Sequence, residues 1–335
     1  MPKITLTLAH SADADDVFMW WPLTGKVDPA RWEVVLSPPA LDTGGIAFTS
    51  VPEDIQKLNK RAIAVGDLDI TAVSFATLPH IWDRYVSTAC GSSFGDDWGP
   101  KLVMRRPIMG FADAVAGAAK GPTLGESSEA LSQPLDLGDP RGVQLVPGTR
   151  IAIPGRNTTA WIILSTLLPQ VAHLKVIELP FNEIVDSVAS GDAEYGLLIH
   201  ESQLTFQYSG LTALLDLGLA FKRLHGLPLP LGSNAVRRDL DVRFGRGTLQ
   251  TVVNLLDASV RYALAHRAES LAYAKTFSPL KDDATLDKYI TLYVNKYTID
   301  ARPDGARAVE LMLRTGATLG LLPAIEGFAM LGPSA

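Results

Sequence analysis

Apolar strand-like runs alternate with amphipathic helical segments along most of this chain, and this alternation restricts the fold more than any other feature. The clearest unit lies between Leu174 and Ile199. Its pieces are a strand at 174–179, an N-cap at Asn182, a helix face of Ile184, Val185 and Val188, a stop at Gly191 and a strand at 195–199. Strands joined by crossover helices form mostly parallel sheets. The pattern therefore predicts an α/β fold.

The last hundred residues show helical spacing instead. Apolar side chains recur every three or four positions from Thr248 to His266, and again from Ala306 to Leu319. We expect these helices to pack back on the first part of the chain. With 335 residues, the chain is long enough for two lobes. We predict one lobe from residues 1–104 plus 235–335, and a second from 105–234 that includes an irregular insertion at about 107–148.

One helix start has a recognisable capping pattern. In Ser50-Val51-Pro52-Glu53, a serine is followed three residues later by a glutamate. This spacing is typical of a capping box, so Ser50 is predicted to cap a helix.

Composition excludes several classes of partner. The formal charge of −6 and the isoelectric point near 5.5 argue against a nucleic-acid surface. No run approaches the eighteen apolar residues that span a bilayer, and no signal-peptide pattern is visible, so we expect a cytoplasmic protein without membrane insertion. The single cysteine, Cys90, and six scattered histidines give no metal motif. A small-molecule partner is the default expectation.

Polar residues directly follow several of the predicted strands. In open α/β sheets, ligands bind beyond the carboxyl ends of the strands. The candidates are Ser11 with Asp13, Asp15 and Asp16; Ser74; the stretch 154–159; and His200 with Glu201. The three aspartates are suited to a cation or substrate hydroxyls, or are simply solvated.

The stretch after Ile153 has the most specific mechanism. A helix that begins near Asn157 leaves the amides around Thr158 and Thr159 unpaired beside two hydroxyls, which is an arrangement that binds a carboxylate or phosphate. The alternative is that Asn157 or Thr158 only caps its own helix.

His200 ends the predicted strand 196–199, so its ring is expected at the mouth of the sheet. Histidine titrates near neutral pH and is therefore suited to act as a general base. A purely structural histidine is the alternative. Neighbouring strand residues point to opposite faces, so Glu201 is not expected to orient His200 directly.

Four segments carry a resemblance to a known family. They are IPGRNTTA at 153–160, GLLIHES at 196–202, GLPLPLG at 226–232 and YVNKYT at 293–298. With them the chain resembles the 1,4-dihydroxy-6-naphthoate synthases of the futalosine pathway of menaquinone biosynthesis, more than their sister chorismate dehydratases. The resemblance covers most of the chain from residue 4 to 322, outside the predicted insertion.

The resemblance implies a fold and a set of site residues. The family has a two-lobed fold like that of type II periplasmic binding proteins, with a ligand cleft between the lobes. His200 matches the family's proposed general base for converting cyclic dehypoxanthinylfutalosine to 1,4-dihydroxy-6-naphthoate. The positions matching the family's cleft are Asn59, Ser74, Thr158 and Thr159. No metal and no organic cofactor is implied.

The chain departs from the family pattern after its first strand. Where the family has Ser-Pro-Cys-Pro-Asn-Asp-Thr-Phe, this chain has Ser-Ala-Asp-Ala-Asp-Asp-Val-Phe at 11–18. Ser11 and Asp16 are kept, while the asparagine has become Asp15 and the cysteine and both prolines are lost. An added carboxylate either repels an anionic ligand or must be protonated. We include Ser11, Asp15, Asp16 and Glu201 among the expected substrate-binding residues.

The sequence thus predicts a lyase that acts on a small anionic organic substrate, with His200 as the general base. Two alternatives stay open: a non-catalytic small-carboxylate binding protein on the same fold, and a chorismate dehydratase-like enzyme. For the oligomeric state, a homodimer is kept as an expectation.

Overall fold

The computed structural model describes residues 4–106, 136–280 and 282–334. Within these ranges, helices surround two main β-sheets, which confirms the predicted α/β class. The predicted insertion lies outside the described residues as far as residue 135. From residue 136 to 149 the chain forms turns and one short 3₁₀ helix, Pro140–Gly142.

The strands of the described residues fall into two main sheets and one hairpin. In chain order they are β1 (Ile4–His10), β2 (Lys26–Asp28), β3 (Arg31–Ser37), β4 (Ile46–Pro52), β5 (Ile70–Ser74), β6 (Tyr85–Thr88), β7 (Ser93–Gly95), β8 (Lys101–Arg105), β9 (Arg150–Ile153), β10 (Lys175–Glu178), β11 (Tyr195–Leu198), β12 (Leu211–Asp216), β13 (Leu229–Arg237) and β14 (Met330–Leu331). The larger sheet has the order β14-β6-β13-β5-β1-β4, with β7 also paired to β13. The smaller sheet has the order β10-β9-β11-β8-β12, and β2 pairs with β3.

The α-helices pack on both sheets. In chain order they are α1 (Ala14–Thr24), α2 (Ile55–Ala64), α3 (Thr159–Leu167), α4 (Ile184–Ser190), α5 (Ser202–Thr205), α6 (Leu217–His225), α7 (Leu240–Phe244), α8 (Thr248–Ala265), α9 (Arg267–Ala274), α10 (Asp283–Tyr293), α11 (Lys296–Ile299) and α12 (Asp304–Thr318). No helix in the described ranges is both long and apolar enough to cross a membrane.

Parallel pairing sets the direction of the strands that lead to the site. Strand β1 runs parallel to β4 and β5, and β9 runs parallel to β10 and β11. The predicted cap at Ser50 is wrong, because Ser50 lies inside β4 and pairs with Leu8 of β1. Helix α2 is capped by Asp54, whose side chain accepts from the amides of Gln56 and Lys57. Sheet pairing has overridden the local capping pattern.

The unit between Leu174 and Ile199 forms as predicted, with one correction at its helix start. Gly191 ends α4 in the left-handed region, at φ = 90°. A 3₁₀ turn, Phe181–Glu183, precedes the helix, so Asn182 is not its N-cap. Strand β9 lies between β10 and β11 and pairs with both.

The C-terminal helices pack on the first part of the chain, as predicted. Val252, Leu256 and Val260 of α8 share an apolar core with Leu6 and Leu8 of β1, and all five side chains are fully buried. This core holds α1 and α8 against the larger sheet.

We call the part built on the larger sheet the first lobe and the part built on the smaller sheet the second lobe. The chain enters the second sheet between Gly95 and Lys101, and returns to the first between Asp216 and Leu229. Strand β8 begins at Lys101, before the lobe boundary that we predicted between residues 104 and 105. Strand β13 begins at Leu229, before the boundary that we predicted between residues 234 and 235. The segments between the sheets are short, which restricts the separation of the lobes.

Two glycines allow α6 to lie against the segment that joins the lobes. A Cβ atom at Gly218 would overlap the backbone carbonyl of Trp98, and one at Gly99 would lie 2.7 Å from the amide nitrogen of Gly218. These neighbours are backbone atoms, so the contact has no flexible side chain that can yield. Both positions therefore require a residue without a Cβ.

We predict that Gly218→Ala lowers the free energy of unfolding by roughly 1–3 kcal/mol, because α6 must move off the joining segment. The matched control is Gly142→Ala, since nothing lies within 4 Å of a Cβ atom at that position. The control should stay within about 0.5 kcal/mol of the unaltered protein in chemical denaturation. Equal stability of both variants would contradict the close contact.

Candidate functional site

A cavity lies between the two lobes, where the turns after β1 and β5 face the turns after β9 and β11. It encloses about 730 Å³ of space, its mouth included, which is within the usual range for small-molecule sites. The structure brings most of the expected site residues to its wall. These are Ser11, Asp15, Asp16, Ser74, Thr158, Thr159 and His200.

His200 has a strained backbone at this wall. Its φ is 56°, in the left-handed region that residues with a Cβ rarely adopt. Its ring packs against Phe181, with 4.6 Å between the ring centroids. The Nε2 atom is buried and has no hydrogen-bond partner among the described residues. A buried ring nitrogen without a partner, on a residue that lines a cavity, is available to a ligand.

The side-chain amide of Gln203 supports this backbone. With its oxygen toward Tyr293, it accepts from the Tyr293 hydroxyl at 2.5 Å and from the backbone amide of His200 at 3.1 Å. The carbonyl of His200 in turn accepts from the backbone amide of Gln203 at 3.3 Å. Gln203 belongs to α5 of the second lobe and Tyr293 to α10 of the first. The bond therefore fixes the His200 turn and joins the lobes.

Asp13 contacts the His200 ring from the opposite lobe. Its Oδ2 lies 2.7 Å from Nδ1 of His200, and the two side chains are only 9% and 15% exposed. The ring N–H is not aligned with that oxygen, so the contact is an ion pair rather than a well-directed hydrogen bond. Sequence reasoning placed Asp13 near the site without a specific partner. The signal available was its position directly after β1, beside Ser11.

The ion pair controls the charge of the histidine. Burial disfavours the charged ring, but the ionised Asp13 outweighs burial and, with smaller contributions from Glu201 and Asp15, raises the pKa of His200 to about 10. Burial likewise opposes ionisation of Asp13, yet the charged ring lowers the pKa of its carboxyl. Near neutral pH, His200 is therefore a cation and Asp13 an anion.

The pKa values of two other carboxyl groups of the site are raised, whereas that of Asp13 is lowered. Burial and the charge of Asp13 raise the pKa of Asp15 to about 6, although the Tyr289 hydroxyl donates to its Oδ1 at 3.1 Å. Burial and the nearby Asp15 raise the pKa of Asp16 well above its usual range. The backbone amide of Ser11 donates to Asp16 at 2.8 Å. Asp15 and Asp16 therefore carry less negative charge than two exposed aspartates would.

Glu201 is placed differently from the prediction. It is not among the residues that line the cavity, and it sits just before α5. Burial and the charge of Asp13 raise the pKa of its carboxyl. Its effect on the site is therefore electrostatic, because it lies behind the His200 turn.

The start of α3 offers backbone amides rather than free hydroxyls. Thr158 is the N-cap: its hydroxyl accepts from the Trp161 amide at 3.3 Å and donates to the Gly155 carbonyl at 2.7 Å. The Thr159 hydroxyl donates to the Leu231 carbonyl at 2.7 Å and accepts from the Ala76 amide at 3.2 Å. The amides of the first two helical residues, at 159 and 160, have no intrahelical partner and belong to residues of the cavity wall. Unpaired amides at a helix start are groups that can bind an anion.

Ser74 and Asn59 have separate roles. Ser74 lines the cavity, whereas Asn59 is fully buried behind it and is not a lining residue, contrary to the expectation from the resemblance. The Asn59 side chain donates to the Ser74 hydroxyl at 3.0 Å and accepts from the Ser74 amide at 2.9 Å. Because the Ser74 hydroxyl accepts from Asn59, its hydrogen is left to donate to a ligand.

His10 positions the turn that carries Asp13. Its Nδ1 lies 2.6 Å from the Ser11 carbonyl, and its Nε2 lies 2.7 Å from the Ser50 hydroxyl. Burial lowers the pKa of His10 to about 4, so the ring is neutral. The Ser11 hydroxyl donates to Asp13 at 2.7 Å. No role was predicted for His10, because its partner Ser50 lies 40 residues away in the sequence and is brought near only by the fold.

A further polar atom lacks a partner at the first-lobe wall. The Asn234 side chain donates to the Gly91 carbonyl at 2.8 Å, but its Oδ1 is buried and has no hydrogen-bond partner among the described residues. Among the described residues that line the cavity, none is lysine or arginine. His200 is therefore the principal cation available to a ligand there.

Comparison with known proteins gives consistent matches over nearly the whole chain. The sequence model of a family described as "Menaquinone biosynthesis" matches residues 6–318. A 1,4-dihydroxy-6-naphthoate synthase of Thermus thermophilus is 31% identical over 94% of this chain and 95% of its own length. One of Streptomyces coelicolor is 31% identical over 99% of this chain and 100% of its own.

Solved structures confirm the two-lobed fold of periplasmic binding proteins. A crystal structure of an Archaeoglobus fulgidus protein superposes with a TM-score of 0.71 at 29% identity, covering 95% of this chain and 98% of its own. The ligand-binding component of an ABC-type import system from Staphylococcus aureus gives a TM-score of 0.64 at 9% identity, covering 99% and 97%. The second similarity concerns the fold alone.

We predict that Asp15→Asn stabilises the protein above pH 6 by roughly 1–3 kcal/mol. The folded pKa of Asp15 is raised to about 6, so ionising this carboxyl makes folding less favourable as pH rises from about 4 to 6. An asparagine avoids that loss and still accepts from Tyr289. Unfolding free energies at pH 8 and pH 4 test this, with the difference shrinking at pH 4. A constant difference at both pH values would refute the assigned cause.

Proposed function

The chain belongs to the menaquinone biosynthesis family, and from this premise we propose that it is a 1,4-dihydroxy-6-naphthoate synthase that acts on cyclic dehypoxanthinylfutalosine with His200 as its general base. The observation that carries the role of His200 is its buried, unpartnered Nε2 on a residue of the cavity wall. Most of the expected site residues line that same cavity.

A ligand held between the lobes would satisfy two orphan atoms. His200 Nε2 belongs to the second lobe and Asn234 Oδ1 to the first, and both are buried without a partner among the described residues. Leaving such atoms unpaired costs free energy. A substrate with a hydroxyl group for Asn234 and a reacting proton for His200 would remove both costs at once.

The carboxylate of the substrate has a separate place to bind. The amides at 159 and 160 lie at the positive end of α3, and Ser74 has a hydroxyl hydrogen to donate. The acidic turn after β1 would otherwise repel an anionic substrate. This repulsion is reduced by the positive charge of His200 and by the raised pKa values of Asp15 and Asp16. The site therefore accepts a small organic anion without lysine or arginine.

The proposed chemistry is an elimination. The step starts from the neutral fraction of His200, which is small near neutral pH because Asp13 keeps most of the ring charged. The neutral ring takes a proton from the substrate through Nε2, and the electron pair left on the substrate drives cleavage of a carbon–carbon or carbon–oxygen bond as the leaving group departs. The Asp13 carboxylate stabilises the imidazolium that forms. We also propose that the enzyme works in the cytoplasm without a cofactor, and a homodimer stays a prediction.

We predict that His200→Gln lowers the rate of product release by roughly 10²–10⁴-fold, because glutamine cannot accept the proton. The matched control is His173→Gln, since His173 is exposed and lies outside the cavity wall. The measurement is release of dihydroxynaphthoate from cyclic dehypoxanthinylfutalosine, followed by chromatography. Equal turnover by the unaltered protein and His200→Gln would remove the histidine from the mechanism.

The same assay separates the alternatives. Tight binding of the substrate without any product from the unaltered protein would indicate a binding protein. Loss of water from chorismate, with no reaction of cyclic dehypoxanthinylfutalosine, would indicate a chorismate dehydratase-like enzyme. Either result would overturn the proposed synthase activity.

A further inference from the structure

Asp13 is the carboxylate that touches the proposed base. The contact joins two elements of different lobes: the turn after β1 and the turn after β11.

We propose that Asp13 is a positioning residue that reaches across the cleft, orients the His200 imidazole and keeps a proton on its Nδ1, so that Nε2 is the atom presented to the substrate. This inference rests on the proposed function, because it assigns a partner to the base of that reaction.

The geometry around Asp13 supports this role. Its Oδ2 lies 2.7 Å from the ring nitrogen and also accepts from the Ser11 hydroxyl at 2.7 Å. The carboxylate is thus held from its own side of the cleft before it meets the ring. On the other side, Phe181 packs against the ring and Gln203 holds the backbone. The imidazole is thus restricted on several sides, while neither of its ring nitrogens has a well-directed hydrogen bond among the described residues.

Among the described residues, no other ionisable group makes a contact of this kind with His200. Asp15 of α1 and Glu201 act on the ring through their charge, and Asp16 and Tyr293 line the same cavity. Among the ion pairs of the described residues, the one that His200 forms is with Asp13. Removing Asp13 should therefore affect the ring more than removing any of the other groups.

This arrangement has a consequence for pH dependence. The pKa of His200 is about 10 in the unaltered protein, so the neutral, proton-accepting ring becomes more abundant as pH rises toward that value. Without the Asp13 charge, burial remains and lowers the pKa. The reactive form then appears at lower pH, but with a less strongly held ring. A residue that only filled space would not move this titration.

The first test follows the titration of His200 directly. We predict that in ¹⁵N-histidine NMR the His200 signal, identified by its loss in His200→Gln, titrates near pH 10 in the unaltered protein. In Asp13→Asn and Asp13→Cys its midpoint should fall by roughly 1–3 pH units. The matched control is Glu201→Gln, which removes a buried carboxyl without an ion pair to the ring and should shift the midpoint by less than about 1 unit. Unchanged titration in both Asp13 variants would overturn the proposal.

The second test uses catalysis. In both Asp13 variants, the acid limb of the profile of kcat/KM against pH should move to lower pH by the shift that NMR shows. The plateau value of kcat should fall roughly 10–10⁴-fold, because the ring loses its orientation. KM should change much less than kcat, because the amides of α3 still bind the carboxylate. Circular dichroism and thermal unfolding check that the variants are folded, and Asp13→Cys serves if Asp13→Asn does not fold. A plateau kcat equal to that of the unaltered protein would also overturn the positioning role.

The two proposals fail in different ways. An unaltered protein that releases no dihydroxynaphthoate refutes the synthase activity, while the NMR titration still decides whether Asp13 controls His200. Normal turnover with a His200 titration that Asp13 does not affect refutes this inference and leaves the synthase activity intact.

Discussion

The ion pair between Asp13 and His200 joins the two lobes inside the cavity, and the charge balance of the site depends on it. Buried charges are costly unless they are paired, and a histidine behind a protein surface would ordinarily lose its proton. Here the paired carboxylate keeps the ring charged. That charge in turn offsets part of the negative potential of the acidic turn. The wall of the cavity therefore carries less net negative charge than its carboxyl groups alone would give.

The pair needs support on both sides, and the structure supplies it with neutral groups. His10 holds the turn before Asp13 through the Ser11 carbonyl, and burial keeps that ring uncharged. Gln203 holds the left-handed backbone of His200 and is itself tied to Tyr293 of the other lobe. Neutral supports orient the pair without adding charges that would have to be compensated. The strain at His200 is thus maintained by contacts from two lobes, as is common at functional sites.

The same separation of roles is seen at the anion-binding side of the cavity. The hydroxyls of Thr158 and Thr159 are used to fix the start of α3, and the backbone amides are left for the ligand. Asn59 holds Ser74 from behind instead of lining the cleft. Residues of one motif thus have two kinds of role: some line the cavity, and others hold the lining residues in place. Motif membership alone does not distinguish them, because both kinds are required for the same geometry.

Where local sequence was decisive, prediction and structure agree. Gly191 ends its helix because glycine adopts positive φ at low cost, and the apolar spacing of α8 already defines the face that packs on β1. The predicted caps at Ser50 and Asn182 are wrong for different reasons. Ser50 lies in β4, where pairing with β1 took precedence over a local cap, whereas Asn182 belongs to a 3₁₀ turn that precedes α4.

The sequence by itself determined the α/β class, the family, and the histidine at the end of a strand, because periodicity and motifs are written in neighbouring residues. Only the tertiary structure decided that Asp13, rather than the adjacent Glu201, is the carboxylate that charges this histidine. Asp13 and His200 lie far apart in the chain, in turns that follow strands of different sheets. Their contact arises because parallel strands of both lobes end at the same cleft, and no spacing along the sequence encodes that distance.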